Sequence, residues 1–369
     1  MKKLMLSTLF TVLCICLVPV TGHSDCTTFV LNNWGKPIYG KNMDWPVPAS
    51  AYVFVNKRGV AKTTIAQPPY IAATWTSKYG SITFNWHSRE YPFEGINEAG
   101  LFVSANGLNE TEHPERDLRP AIDPHRWIQY QLDNFSTVDE VIASDKDISI
   151  PKFDSQEQAG LHYLVSDKTG NCASIEFIKG KLVCHTGWTM PVKVLVGATG
   201  TYAQSLTYYR QQRLKYLFSP IPIPADYRPS LDRFAVAADR VKRYRPWCSG
   251  PAVDYAFQIL EDVEINPIAH SAVWSAVYDY TNKRIYFRSW NHDQIRWFDF
   301  SAFDFSCPTP VTVLDTSADL SGDVTNSFVD YTEDINREIL ESAARFFPVL
   351  NTYMDFFATF PEKYTHCIE

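Results

Sequence analysis

The chemistry most readily read from this chain centres on Cys26, with a cation, Lys41, and a carboxylate, Asp44, following within the length of one hairpin. A cysteine in that position has three uses. It can close a disulfide, carry a lipid anchor, or become the first residue of the finished chain and act as a nucleophile. Lipid anchoring asks for an aliphatic residue three places before the cysteine and a small one directly before it, and His23 and Asp25 stand there instead. In the third use, removal of the residues ahead of Cys26 leaves it with both a thiol and an α-amine. An α-amine, with a reference pKa of about 7.7 to 8.0, accepts the thiol proton near neutrality, so one residue supplies nucleophile and base. No His forms an obvious catalytic motif, and the local signature of a papain-like cysteine is absent.

The elements that must position this chemistry begin with a hairpin. Thr27–Leu31 and Pro37–Met43 read as strands about the turn residues Asn32-Asn33-Trp34-Gly35. The return strand brings Lys41 and Asp44 back alongside Cys26, where a cation stabilises a thiolate and a carboxylate holds or orients the terminal ammonium. A solvated Lys and Asp beside Trp45 fit the same spacing, and spacing alone leaves both readings open.

Residues 1–25 read as a signal peptide with a short stub. Met1-Lys2-Lys3 is cationic, Leu4 to Val20 is nearly all apolar, and Val20 and Gly22 suit a peptidase that cuts after Gly22. A retained anchor needs about 20 apolar residues, more than this run offers before Pro19 and the polar residues that follow. Export to the periplasm or beyond favours disulfides. Six cysteines remain after the signal: Cys26, Cys172, Cys184, Cys248, Cys307 and Cys367. No CxxC pair is present, so a metal or iron–sulfur site has little support. A two-residue turn at Lys179-Gly180 would pair Ile178 with Lys181 and offset Cys172 from Cys184 by three positions, so no bridge is expected there.

With 45% hydrophobic and 14% aromatic residues, the chain can fill a large core, which excludes a disordered or low-complexity protein. Its 34 basic against 41 acidic residues give a net charge of −7, which argues against nucleic acid and anionic membranes as partners. Further strands are expected at Ala51–Val55, Ser81–Trp86 and Gly100–Ala105, then a helix over Asp123–Phe135 and a capped one from Ser136-Thr137-Val138-Asp139. Strand-like runs recur at Leu161–Ser166, Ala173–Ile178, Lys181–His185 and Val192–Val196. Helical patterns over Ala203–Phe218, Ser230–Tyr244 and Ala252–Val263 precede a closing meander, Val273–Tyr280, Arg284–Ser289 and Ile295–Asp299. A helix over Thr332–Phe346 and an aromatic tail end the chain. With no repeat and no linker, residues 26–369 are expected to form one layered α+β domain.

Several blocks, in order, resemble the choloylglycine hydrolases, the family of bile salt hydrolases and penicillin V acylases, which are N-terminal nucleophile (Ntn) hydrolases. Cys26-Thr27-Thr28-Phe29 followed by Tyr39-Gly40-Lys41-Asn42-Met43-Asp44-Trp45 resembles the family's opening, where Arg usually stands at the Lys41 position. Trp75 to Ser81 and Gly95 to Leu101 are similar to its next two blocks. Ala225 to Phe234 is similar to the segment with its late active-site Arg, and Val273-Trp274-Ser275 through Tyr286-Phe287-Arg288 to its closing strands. The likeness runs from residue 26 to about 305.

The resemblance implies a four-layer αββα sandwich and hydrolysis of linear, non-peptide amides by Cys26, with Asp44 as partner of the α-amine and Arg233 as a cation near the thiolate. Lys41 keeps the family's charge without the planar fork of Arg. An oxyanion donor is implied near Asn106-Gly107, from the Gly107 N–H. A second donor, usually an Asn, falls at about Ala198, which has no side-chain amide; either Asn106 substitutes or the activity differs from typical members. The implied partner is a small N-acyl amide. Conjugated bile salts, penicillin V and N-acyl homoserine lactones are candidates, no metal or organic cofactor is implied, and homotetramers are common in the family. A non-catalytic exported binding protein on the same fold is the reading from another class. Trp75, Tyr79, Trp86 and Tyr91 fit either an apolar pocket or ordinary core packing.

Overall fold

The computed structural model describes residues 26–45, 50–66, 68–153, 159–215, 229–265, 272–346 and 348–368. The expected signal segment and its cleavage site, the stretch 225–228 of the late block, and the last three positions of the helix expected over Ala203–Phe218 lie outside them.

Eight strands come first: β1 (Thr27–Asn33), β2 (Lys36–Asp44), β3 (Tyr52–Asn56), β4 (Val60–Thr63), β5 (Thr74–Thr76), β6 (Ser81–Asn85), β7 (Pro92–Asn97) and β8 (Phe102–Gly107). Helices α1 (Pro124–Asn134) and α2 (Val138–Ala143) lead to β9 (Leu161–Ser166), β10 (Cys172–Ile178), β11 (Lys181–Thr186) and β12 (Val194–Val196). Then come α3 (Tyr202–Lys215), α4 (Ser230–Arg243) and α5 (Ala252–Asp262), and strands β13 (Ala272–Asp279), β14 (Arg284–Ser289), β15 (His292–Asp299), β16 (Thr312–Asp315) and β17 (Val329–Asp330). The described chain closes with α6 (Glu333–Ala344), α7 (Met354–Tyr364) and β18 (Thr365–Cys367).

The β1–β2 connection is a two-residue turn. Trp34 and Gly35 both have positive φ, 56° and 79°, and Asn32 Oδ1 accepts the Gly35 N–H at 2.7 Å. That turn type matches the twist of paired strands and fixes their register, so Asn33 faces Lys36, Thr28 faces Lys41 and Thr27 faces Asn42. Gly40 is obligatory within β2, because a Cβ there would lie 2.2 Å from the Phe29 ring.

Six strands in the order β12-β1-β2-β13-β14-β15 form one antiparallel sheet, and nine in the order β11-β10-β9-β8-β7-β6-β3-β16-β17 form the other. The sheets face each other where β1 and β12 meet β8 and β9, and Tyr39 stacks on Phe102 across the gap at 4.6 Å. Helices α4 and α5 cover the outer face of the six-stranded sheet, while α1 and α2 cover the nine-stranded one. The fold is an αββα sandwich. Capping explains where the second helical layer starts: Asp123 accepts from the N–H groups of His125 and Arg126 ahead of Pro124, and Thr137 and Glu140 form a capping box.

The Lys179-Gly180 turn pairs Ile178 with Lys181, so Cys184 faces Ile175, and Cys172 and Cys184 are both thiols. A disulfide instead joins Cys307 to Cys367 across a sequence separation of 60. It fastens the chain end, where β18 pairs with β4, to the loop ahead of β16. No helix among the described residues is long and apolar enough to cross a membrane.

Closing a loop of this length restricts the unfolded chain by an amount worth about 2–4 kcal/mol. The Cys367→Ser variant should therefore melt several degrees below wild type under oxidising conditions. Reductant should lower the wild-type Tm by a similar amount and leave the variant's unchanged.

Candidate active site

Strand alternation sorts the residues around Cys26 onto two faces of the six-stranded sheet. Thr28 and Lys41 point inward, as their contacts with Ser104, Ala105 and Asn106 of β8 require. Cys26, two residues before Thr28, shares that face, and its thiol lies 3.3 Å from the thioether of Met43. Thr27, Asn42 and Asp44 point outward to the helices. Asn42 donates to the Leu260 carbonyl of α5 at 2.9 Å, and Thr27 receives Arg233 of α4.

Arg233 lies in the first turn of α4, buried, and reaches over the edge where β1 meets β12. It donates to Thr27 Oγ1 at 3.1 Å and to the Gly197 carbonyl at 2.7 Å, and stands 4.0 Å from Asp44. The Gly197 N–H donates to the Cys26 carbonyl at 2.8 Å. Cys26, Thr27, Asp44, Gly197 and Arg233 thus form one buried corner.

Lys41 belongs to the same sheet but does a different job from Asp44. Its ammonium is buried between the sheets and donates to the Ala105 carbonyl at 2.5 Å and to Asn106 Oδ1 at 2.7 Å. Just past the end of β8, the Leu108 N–H donates to the Gly160 carbonyl at 2.8 Å. Antiparallel alternation then directs the Gly107 N–H away from β9, to the side on which Ala105 receives Lys41. Position 198 is a buried alanine whose carbonyl accepts the Asn109 N–H at 2.8 Å. Its own N–H and that of Thr199 are held by Ser230 Oγ, each at 3.2 Å.

Three participants had no role in the sequence reading. His162, opposite Asn106 on β9, donates from Nε2 to the Val196 carbonyl at 3.0 Å, and its Nδ1 lies 3.1 Å from Glu176, holding β12 against the second sheet. A buried Glu in the otherwise apolar strand Cys172–Ile178 was the available signal. Glu94 of β7 accepts from Trp274 at 2.8 Å and Tyr278 at 3.0 Å. Burial pushes its carboxyl up to about 7, against the opposing pull of the Lys41 ammonium and hydrogen bonds from Trp274, Tyr278 and Ser104. Of the aromatic candidates, Trp75 belongs to the core under α1 and bonds Asp133 at 2.7 Å, whereas Trp86 packs edge-on to Trp45 beside Asp44. No group of three or more metal-ligating side chains occurs among the described residues.

The sandwich and the linear amide chemistry of its relatives define a class: the chain is a linear amide C–N hydrolase. Residues 26–313 match the model of the linear amide C-N hydrolases, choloylglycine hydrolase family, and the chain belongs to that family. It is 28% identical over 320 residues to a penicillin V acylase of Pectobacterium atrosepticum, covering 76% of this chain and 82% of that one. The penicillin V acylase structure from Agrobacterium tumefaciens superimposes with a TM-score of 0.69 at 26% identity, covering 83% of this chain and 98% of the other. A variant of the conjugated bile acid hydrolase of Clostridium perfringens shares the fold at a TM-score of 0.64 and 18% identity, covering 80% and 98%.

A carboxyl that keeps its proton to higher pH when folded than when unfolded stabilises the fold below its unfolded pKa of about 4.5, and that stability is lost as pH rises through about 7. Wild type should lose stability from pH 5 to pH 8, by about 3 kcal/mol at most from this group. Glu94→Gln should flatten that part of the curve, as thermal melts across the range will read; an unchanged slope would contradict it.

Proposed function

We propose that the chain is exported, that the residues ahead of Cys26 are removed, and that Cys26 then hydrolyses an N-acyl amide as an N-terminal nucleophile. The observation that carries this reading is the buried corner in which Arg233 bonds the residues on either side of Cys26, Thr27 and Gly197, within 4.0 Å of Asp44. The α-amine takes the thiol proton, and the thiolate sulfur attacks the amide carbonyl. Arg233 supplies positive potential to the corner that holds Cys26, while Asp44 orients the ammonium. The Gly107 N–H receives the oxyanion of the tetrahedral intermediate. As the C–N bond breaks, the ammonium returns its proton to the leaving nitrogen, leaving a thioester on Cys26. Water, deprotonated by the amine, then attacks the thioester; the carboxylic acid departs and the thiol is restored.

Phenoxyacetyl amides such as penicillin V are the substrate class best supported. Relatives of that name are 28% and 26% identical to this chain over the aligned stretches, whereas likeness to the bile acid hydrolase is a likeness of fold.

Mass spectrometry of the exported protein should find Cys26 as the first residue, and penicillin V should release phenoxyacetate faster than glycine- or taurine-conjugated bile salts release their amines. Cys26→Ser should lower kcat by at least about 10³-fold while circular dichroism and Tm stay at wild-type values. An active preparation beginning at His23, or full activity in the variant, would overturn the mechanism.

A further inference from the structure

We infer that the side-chain amide of Asn106 is the second oxyanion donor of this enzyme, and that Lys41 is the positioning residue that aims it. The inference rests on the proposed role of Cys26 and assigns to Asn106 the task that no side chain at Ala198 can perform.

An ammonium has donors only, so the Asn106 atom 2.7 Å from Lys41 must be the amide oxygen. The Thr28 hydroxyl donates to the same oxygen at 3.1 Å. With two donors on its carbonyl, the amide cannot flip, and its NH2 is turned away from Lys41 and Thr28. That Nδ2 is buried and has no hydrogen-bond partner among the described residues. Burying an amide donor unpaired costs stability, a cost that a developing oxyanion would remove.

Two short chains of contacts link this amide to Cys26. Asn106 touches Thr28, and Cys26 is the next residue on that inward face of the sheet. His162, the cross-strand neighbour of Asn106, bonds the Val196 carbonyl, and the next residue, Gly197, bonds Cys26. The Gly107 N–H follows Asn106 directly in the chain, so consecutive residues at the end of β8 would supply both donors. Lys41 is itself held by a second acceptor, Ala105, which fixes the ammonium and through it the amide. Glu94 is the carboxyl whose charge faces Lys41 across the sheets.

Single-turnover acylation of the mature enzyme by penicillin V, followed as a mass increase on Cys26, tests this. Asn106→Ala should slow acylation about 10²- to 10³-fold, with KM within about threefold of wild type. Asn106→Asp, which keeps the shape and loses the donor, should be equally slow. Lys41→Met should slow the step about tenfold or more, Lys41→Arg should restore most of the rate, and Lys41→Met should add nothing in the Asn106→Ala background. Acylation of Asn106→Ala within about threefold of wild type would overturn the donor role. An equal loss from Lys41→Met with and without Asn106 would overturn the positioning role, and if that variant does not fold, Asn106→Ala and Asn106→Asp decide alone. A wild-type enzyme that never acquires the phenoxyacetyl mass would bring down the reading of Cys26 instead, and this inference with it.

Discussion

The register of the β1–β2 hairpin is the constraint on which the rest of the site depends. Because side chains alternate, a slip of one residue would exchange every inward group for an outward one. The two-residue turn at Trp34-Gly35 sets Thr28 against Lys41, and everything else follows from parity. Cys26, Thr28, Lys41 and Met43 enter the space between the sheets; Thr27, Asn42 and Asp44 face the helices that deliver Arg233. The hairpin thus carries two sets of polar groups to one cysteine from opposite sides of a single sheet. Gly40, with no room for a Cβ, lets the Phe29 ring pack directly on the β2 backbone.

Buried charge is paired throughout this fold, but pairing alone does not mark the site. Lys62 lies 3.0 Å from both Glu90 and Asp133, all three buried, far along the chain from the corner at Cys26. Burial pushes Glu90 up, yet Lys62, Arg126 and Arg89 together hold it below its ordinary range; burial raises Asp133, which Lys62 only partly offsets. Arg126 also lies over the rings of Trp75 and Phe360, so this network joins α1 to the C-terminal helix α7. Its charges are balanced against one another. What distinguishes the corner at Cys26 is a buried thiol among its polar groups.

Much of this was legible in the sequence because it is local. Strand and helix periodicities placed β1, β2, β9, β14 and α4 within a residue or two, and Ser136-Thr137-Val138-Asp139 signalled a capped start for α2, one residue ahead of the actual box of Thr137 and Glu140. The offset of Cys172 from Cys184 was a matter of counting around a turn. Less legible were facts created by long-range packing. Spacing brought Lys41 and Asp44 back toward Cys26 but left open that they lie on opposite faces, because β2 is buried on both sides and shows no alternation of polar and apolar residues. The Cys307–Cys367 link joins loops whose proximity depends on β18 adding to β4. Glu94 was hidden inside a short strand, since a buried carboxyl and a solvated one look alike until Trp274 and Tyr278 arrive from the other sheet.

Lys41 and Ala198 stand where the resemblance implies an Arg and an Asn, and the donor role proposed for Asn106 accounts for both. Arg is a planar fork suited to acceptors that lie in its plane, whereas the donors of a lysine radiate from one atom. The acceptors opposite position 41 are the Ala105 carbonyl, which lies along the sheet, and the Asn106 side chain, which stands off it. Lysine can satisfy both at once from a space closed by Glu94 on β7 and Thr28 on β1. Ala198 presents only backbone, its N–H on Ser230 and its carbonyl on Asn109. On the donor role proposed for Asn106, the side-chain amide that the resemblance implies at 198 is supplied instead from the interior end of β8. A donor held there is fixed by the core of the sandwich rather than by a loop, and its alignment therefore depends on the same hairpin register that places the nucleophile.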